Sequence, residues 1–360
     1  MRYVVTGTVD GRTEFPTERF DGFCYESWGN AWSMIDGVDA EYIPCHEIAD
    51  NPSMIDDIDI IHCAWDVDEV LDVAIGNCFT IITEHGSSHN IDFIDNMPDK
   101  IRFREKINNV DLLLATTYGG KWYWPMFTAT PVLNIPLPMD LNVFQPRNVE
   151  KFDKFTVSIG EFIVSCGADR PLQFQTICML REIDAHIVTT IPEDKPIDKK
   201  LLFEMFNKAG LTENNITFYP PGDFKTMSQT YLPRSHASMM ISIQPTFGRL
   251  AYVSSAIGVP CVGSFYQMHR EICPELAFTY NEIEQMIEVL QKLRDDEEFY
   301  KTCVKTGLDN MRQMSNHSIA TRICNEILPL ITEKQNKYSY LKHRNSAIYD
   351  GKTVENPENE

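Results

Sequence analysis

The stretch Ile241–Ser264, ISIQPTFGRLAYVSSAIGVPCVGS, constrains the fold more than any other part of the chain. The run SHASMMIS leading into it supplies a buried strand, and Gln244–Gly248 make a tight loop. Arg249–Ile257 follow as a short helix with Ala251, Ser254, Ser255 and Ala256 as small residues on one side. Gly258 stands where a left-handed helix cap is wanted, and Pro260 stops the helix from continuing. CVGS is then a second buried strand. Such a unit is a parallel β-α-β crossover. Its loop lies at the carboxyl edge of the sheet, where the N–H groups and positive dipole end of the helix face outward. A diphosphate suits that place.

The rest of the chain repeats the alternation. RYVVTG, AEYIPC, IDIIHCAW, FTIITEHG, VDLLLATT and PVLNIP read as strands, with helices at Ser27–Asp36, Val67–Ile75 and Pro98–Asn108 between them. The pattern restarts at FTVSIG and continues through AHIVTT, ITFYPP, ASMMIS and PCVGS. Strands alternating with helices predict an α/β protein with parallel, doubly wound sheets. At 360 residues two domains are expected. The proline-rich segment Pro131–Pro146 is the predicted linker between them. The reading assigns 1–145 to a Rossmann-like N-terminal domain and 146–330 to a Rossmann-like C-terminal domain. It assigns 331–360 to a last helix that returns to the N-terminal domain, and an acidic tail. Amphipathic helices are predicted at Asn281–Arg294, Asp296–Met314 and His317–Leu330, and a final one at Tyr338–Ile348.

Composition narrows the class. The formal charge is −20, and Lys and Arg are dispersed, so the basic patch of a nucleic-acid binder is missing and nucleic acid is an unfavoured partner. No run approaches the ~20 apolar residues of a membrane span. The chain opens directly on a strand, without the pattern of a signal peptide, and its ten cysteines are scattered with no C-x-x-C pair. They read as small buried hydrophobes of a reducing compartment, so a cytoplasmic protein is expected.

Four segments resemble the retaining two-domain GT-B glycosyltransferases of the glycogen-synthase and bacterial mannosyltransferase type. IDIIHCAW is similar to the strand before their first inner loop, and ITEHG to their T-x-H-G segment ending at His85. NIPLPMDLNVFQP resembles their I-P-N-G-V-D-x-x-x-F-x-P linker, matching at Pro136, Asp140, Phe144 and Pro146. PTFGRLAYVSSAIGVPCVGS, followed by His269–Glu271, resembles their donor-binding segment. The sequence departs from that pattern at Pro245 and Val253, where the family carries its E-x7-E acids, and at Gln267-Met268, where it carries Gly-Gly. Gly160-Glu161 replaces its Gly-Arg.

The resemblance implies two Rossmann-like domains facing across a cleft, and transfer of a sugar from a UDP-, GDP- or ADP-linked donor to a hydroxyl acceptor. The N-terminal domain would choose the acceptor, and the donor would be a substrate rather than a resident cofactor. His85, Arg170 and Glu271 are the candidate catalytic residues. His85 would position the transferring sugar, Arg170 would steady the departing phosphate, and Glu271 would contact the donor. Gly29, Gln244, Thr246, Phe247, Gly248 and Arg249 are the candidate donor-binding residues. His62 is read as structural, and Trp122-Tyr123-Trp124 as packing.

No metal is expected. Asp57-Ile58-Asp59 enters a strand and Asp66-Val67-Asp68 opens a helix, which explains both D-x-D patterns structurally. Two other functions share this fold: a binding or scaffold protein that has lost the chemistry, which the missing acids favour, and a sugar-nucleotide epimerase.

Overall fold

A computed structural model of the protein describes residues 1–7, 25–64, 68–83, 101, 104–161, 170–190, 196–220, 224–242, 248–265 and 267–335. Short apolar runs that are buried on both faces dictate its architecture. Phe79–Thr83 and Leu112–Ala115 are buried at every position, a pattern that only a sheet covered by helices on both sides allows. Six strands, β1 (Arg2–Thr6), β2 (Asp39–Tyr42), β3 (Ile60–Ala64), β4 (Phe79–Thr83), β5 (Leu112–Ala115) and β6 (Val132–Asn134), form the first sheet, ordered β2-β1-β3-β4-β5-β6. All its pairings are parallel.

The second sheet comprises β7 (Thr156–Glu161), β8 (His186–Thr190), β9 (Ile216–Tyr219), β10 (Ala237–Met240), β11 (Cys261–Ser264) and β12 (Ala277–Phe278), ordered β12-β11-β10-β7-β8-β9. It too is parallel throughout. The α/β architecture of two parallel sheets expected from the sequence is therefore the one observed.

Helices α1 (Tyr25–Trp32), α2 (Cys45–Asp50), α3 (Asp68–Ala74) and α4 (Tyr118–Tyr123) accompany the first sheet. In the second half α5 (Arg170–Glu182), α6 (Pro196–Lys208), α7 (Phe224–Gln229), α8 (Arg249–Ala256) and α9 (His269–Ile272) alternate with strands. The carboxyl-terminal helices are α10 (Ile283–Asp295), α11 (Glu297–Gln313) and α12 (Asn316–Arg322). Caps place their starts: the Asp296 side chain accepts from the Phe299 N–H, and that of Ser315 accepts from the Ser318 N–H. After α12 the helix widens into a π turn at Ile323–Ile327 within the helix predicted for 317–330.

Alternate residues of β1 feed two cores. Val4 packs with Ile61, Cys63 and Ile82 on one face. Tyr3 and Val5 face Trp28 and Trp32 on the other, in a buried cluster that continues through Ile135, Leu137, Met139 and Phe144 into the second half of the chain. The predicted linker segment is thus anchored in the core at these four residues. Trp124 is 1% exposed whereas Trp122 is 62% exposed, so the packing expected of this aromatic triplet does not extend to Trp122. The predicted helix at 338–348 lies outside the described residues, as does most of the stretch 98–103.

Candidate functional site

In the second sheet the chain order reverses between β7 and β10, neighbours whose connections leave in opposite directions. Open α/β sheets bind ligands at the carboxyl edge of such a switch point. Two candidate segments meet this edge: α5, which begins at Arg170, and α8, which begins at Arg249 after Gly248. Gly160, near the end of β7, lies against the second of them. A methyl group there would lie 3.1 Å from Leu250 Cδ2, so the backbone of β7 runs directly against α8.

Gly248 takes a left-handed conformation, φ 72° and ψ 57°, with no side chain capping the helix it precedes. Its carbonyl accepts from the Ala251 N–H at 3.0 Å. The amides of Arg249 and Leu250 come before that first internal bond and are turned outward with the positive end of α8. Arg249 itself is exposed. Gly258 closes the unit with φ 79°, as its place in the sequence predicts. The seven residues Leu250–Ala256 of α8 are all buried, including Val253, where the resembling family carries a ribose-binding acid.

Hydroxyl groups hold the edge beneath this loop. The Ser264 hydroxyl donates to the Ser242 carbonyl at 2.6 Å and accepts from the Ser242 N–H at 2.6 Å, joining the ends of β10 and β11. Ser238 Oγ donates to Ser254 Oγ at 2.8 Å, fixing α8 on the sheet. The Tyr252 hydroxyl donates to the Leu137 carbonyl at 2.6 Å, which ties α8 to the linker. Burial, and then the nearby Glu271 carboxylate, push the Tyr252 phenol well above its usual range. Glu271 is half-buried on α9 and lies within electrostatic reach of α8.

Gln267 and His269 shape this region in ways that local sequence patterns do not reveal. A Cβ on Gly248 would lie 3.2 Å from both Cβ and Oε1 of Gln267, whose side chain is buried against the turn. The departure from Gly-Gly at Gln267-Met268 therefore puts a side chain directly beside the Gly248 turn. His269 is 1% exposed, and its Nε2 lies 3.4 Å from Cys261 Sγ. Burial pushes its imidazole down to about 3, so the ring is neutral. Arg270 stacks over Phe265, 4.8 Å from the ring centre.

Of the other candidates, Gly29 lies inside α1, where its carbonyl accepts from the Ser33 N–H, rather than at a helix start. Arg170 opens α5. His85, Gln244, Thr246 and Phe247 lie outside the described residues. His62 is fully buried, with Nδ1 2.7 Å from the Tyr3 hydroxyl and Nε2 in contact with Thr83 Oγ1, the structural role read from the sequence. Asp59 accepts from the Arg2 N–H, which accounts for one D-x-D acid. Among the described residues no cluster of His, Cys, Asp and Glu could hold a metal ion, and no helix is long and apolar enough to cross a membrane.

No protein-family model matches the sequence, and no curated protein matches it by sequence. The fold, in contrast, is similar to many solved structures. The sucrose-phosphate synthase of Thermosynechococcus elongatus is 14% identical over 92% of this chain and 100% of its own, with a TM-score of 0.69. HepE of Anabaena, solved with UDP and glucose, is 13% identical over 91% of this chain and 100% of its own, with a TM-score of 0.65. AviGT4, a glycosyltransferase of avilamycin A biosynthesis, is 13% identical over 92% of this chain and 98% of its own, with a TM-score of 0.60. At such identities the likeness establishes a shared fold, the GT-B arrangement of two Rossmann-like units.

Proposed function

We propose that this GT-B-fold protein is a glycosyltransferase that moves a sugar from a nucleoside diphosphate to a hydroxyl acceptor. The observation that carries the reading is the Gly248 turn. It is a left-handed glycine that leaves the start of α8 without a side-chain cap, at the switch point of the second sheet. Backbone amides and a helix dipole there suit a diphosphate. Structures of the same fold, HepE among them, were solved with UDP or UDP-glucose. In this reading Arg249 and Arg170 flank the phosphates, and Glu271 meets the donor. His85 positions the transferring sugar. The donor is a UDP-, GDP- or ADP-linked hexose or pentose, and transfer runs without a metal ion in the cytoplasm.

The test is isothermal titration of the full chain with UDP-, GDP- and ADP-sugars, paired with assays of donor hydrolysis. Binding of one nucleotide class is expected, weakened at least about tenfold in Gly248→Val while the fold is retained. No binding across the panel overturns the reading. His85→Ala and Arg170→Ala are expected to lower turnover by roughly 10²–10³.

Two observations favour a second reading, a binding protein on the same fold. Gln267 fills the side of the Gly248 turn, and Val253 is buried where a ribose-binding acid would stand. Tight nucleotide binding with neither transfer nor hydrolysis would select that reading.

A further inference from the structure

We propose that the groove between α5 and α10 is a docking site for a basic amphipathic helix of a partner protein. The two helices run side by side and are tied at both ends. Gln175 Nε2 donates to the Tyr280 carbonyl at 3.0 Å just ahead of α10, and Arg294 Nη1 donates to the Ile183 carbonyl at 2.8 Å just after α5. Between these ties lies an open groove of about 470 Å³.

Its floor is apolar, made of Cys178, Met179, Ile283 and Ile287, and Ile283 is 38% exposed at its mouth. Every charged side chain lining it is a carboxylate: Glu182, Glu284 and Glu288. Glu284 and Glu288 stand one turn apart on α10, a like-charge spacing that weakens a helix. Together with Glu182 they give the groove a uniform negative rim. The stretch of α5 from Gln175 to Glu182 spans about two helical turns. A facing helix would seat two apolar side chains one turn apart on the floor and place Lys or Arg against the rim, the recognition mode of a helix in a groove.

Charge complementarity selects the occupant. A net charge of −20 makes a second copy of this chain a repulsive partner, and an anionic membrane likewise. The site is separate from the Gly248 region, so the inference stands whether or not the chain transfers sugars.

The probe is a fluorescent amphipathic peptide of Leu and Lys, about 14 residues and ~21 Å long as a helix, titrated by anisotropy with the full chain at physiological ionic strength. Because the whole protein is acidic, the control is the equal charge change elsewhere, Glu297→Lys with Glu298→Lys on the exposed start of α11. Ile287→Asp, and separately Glu284→Lys with Glu288→Lys, are expected to weaken binding at least about tenfold, and the control less than about twofold. Circular dichroism of each variant checks that the helices are intact. An equal loss in the control would mean nonspecific attraction and overturn the site, as would unchanged binding by Ile287→Asp. A dimer in sedimentation that Ile287→Asp dissociates would instead assign the groove to a second copy.

Discussion

Two glycines hold the candidate site in shape for different reasons. At Gly263 the constraint is space: a Cβ would lie 2.1 Å from the Met240 carbonyl oxygen and 2.3 Å from His269 Nε2. No rotamer relieves a contact with backbone, so β10 or His269 must shift. Gly263→Ala is expected to destabilise by about 3 kcal/mol, the upper part of the range for overpacking. Urea unfolding measures it, and an unchanged midpoint would contradict the seating of His269 over Gly263. At Gly248 the constraint is conformation first, φ 72°, and contact second, with Gln267 at 3.2 Å. An alanine in left-handed backbone costs ~1–2 kcal/mol, while the Gln267 end can yield. Gly248→Ala should therefore cost about 0.5 kcal/mol less in a Gln267→Ala background, a coupling that a double-mutant cycle resolves. Strict additivity would mean that the Gln267 amide group does not press on the turn.

At the scale of elements, α9 shows why half of this site is hidden in the sequence. Its 4 residues cannot form a stable helix by themselves. It is held by His269 beneath it and by Asn310, whose Nδ2 donates to the Ile272 carbonyl at 3.0 Å from α11. The burial of His269 has a pH signature. Its folded pKa of about 3 is far below the usual 6.5, so below pH 6.5 the unfolded chain takes up a proton that the folded chain refuses. Stability from this residue is complete above pH 6.5 and is lost as the pH falls, by about 2 kcal/mol between pH 6.5 and 5. His186 and His236, also lowered by burial, act in the same direction. His269→Gln should flatten the profile in this window by about one proton, whatever its offset at neutral pH. Parallel profiles for the two proteins would show that His269 titrates normally. The turn at Gly248, α8 and Gly258 were legible because each is dictated by local backbone demands: a tight glycine turn, a helix with a small-residue side, a left-handed stop. The seating of Gln267 on Gly248 and of Tyr252 on Leu137 depends on residues distant in the chain, and that of His269 on Gly263 on how α9 folds back over β11; no local pattern encodes such contacts.

On the scale of the whole molecule, the last described residues return to the first sheet. Met139 of the linker accepts from the Asn316 N–H at 3.0 Å and donates to the Met314 carbonyl at 2.9 Å. α12 packs on α1, and Arg322 donates to the Asn134 carbonyl at 2.8 Å beside its pair with Glu326. Farther on, Lys334 pairs with Asp111 at the foot of β5 and lies over the Phe79 ring, 5.5 Å from its centre. The Asp111 carboxylate also accepts from the Thr80 N–H at 2.7 Å and its hydroxyl at 2.9 Å, so this one side chain joins β4, β5 and the returning helix. Both partners are less than one-fifth exposed, at 17% and 18%, so the pair is only weakly screened by solvent. Lys334→Met keeps the apolar stem over Phe79 while removing the charge. It is expected to cost about 2 kcal/mol, the magnitude of a hydrogen bond to a charged group. Because Lys334 touches the first sheet and not the second, the loss should be local: faster amide exchange at Phe79–Thr83 and Leu112–Ala115, with Ala237–Met240 unchanged. Equal acceleration in both sheets would mean that the packed linker and the shared core couple them into one unfolding unit, and that the returning helix stabilises the molecule as a whole rather than the sheet it touches.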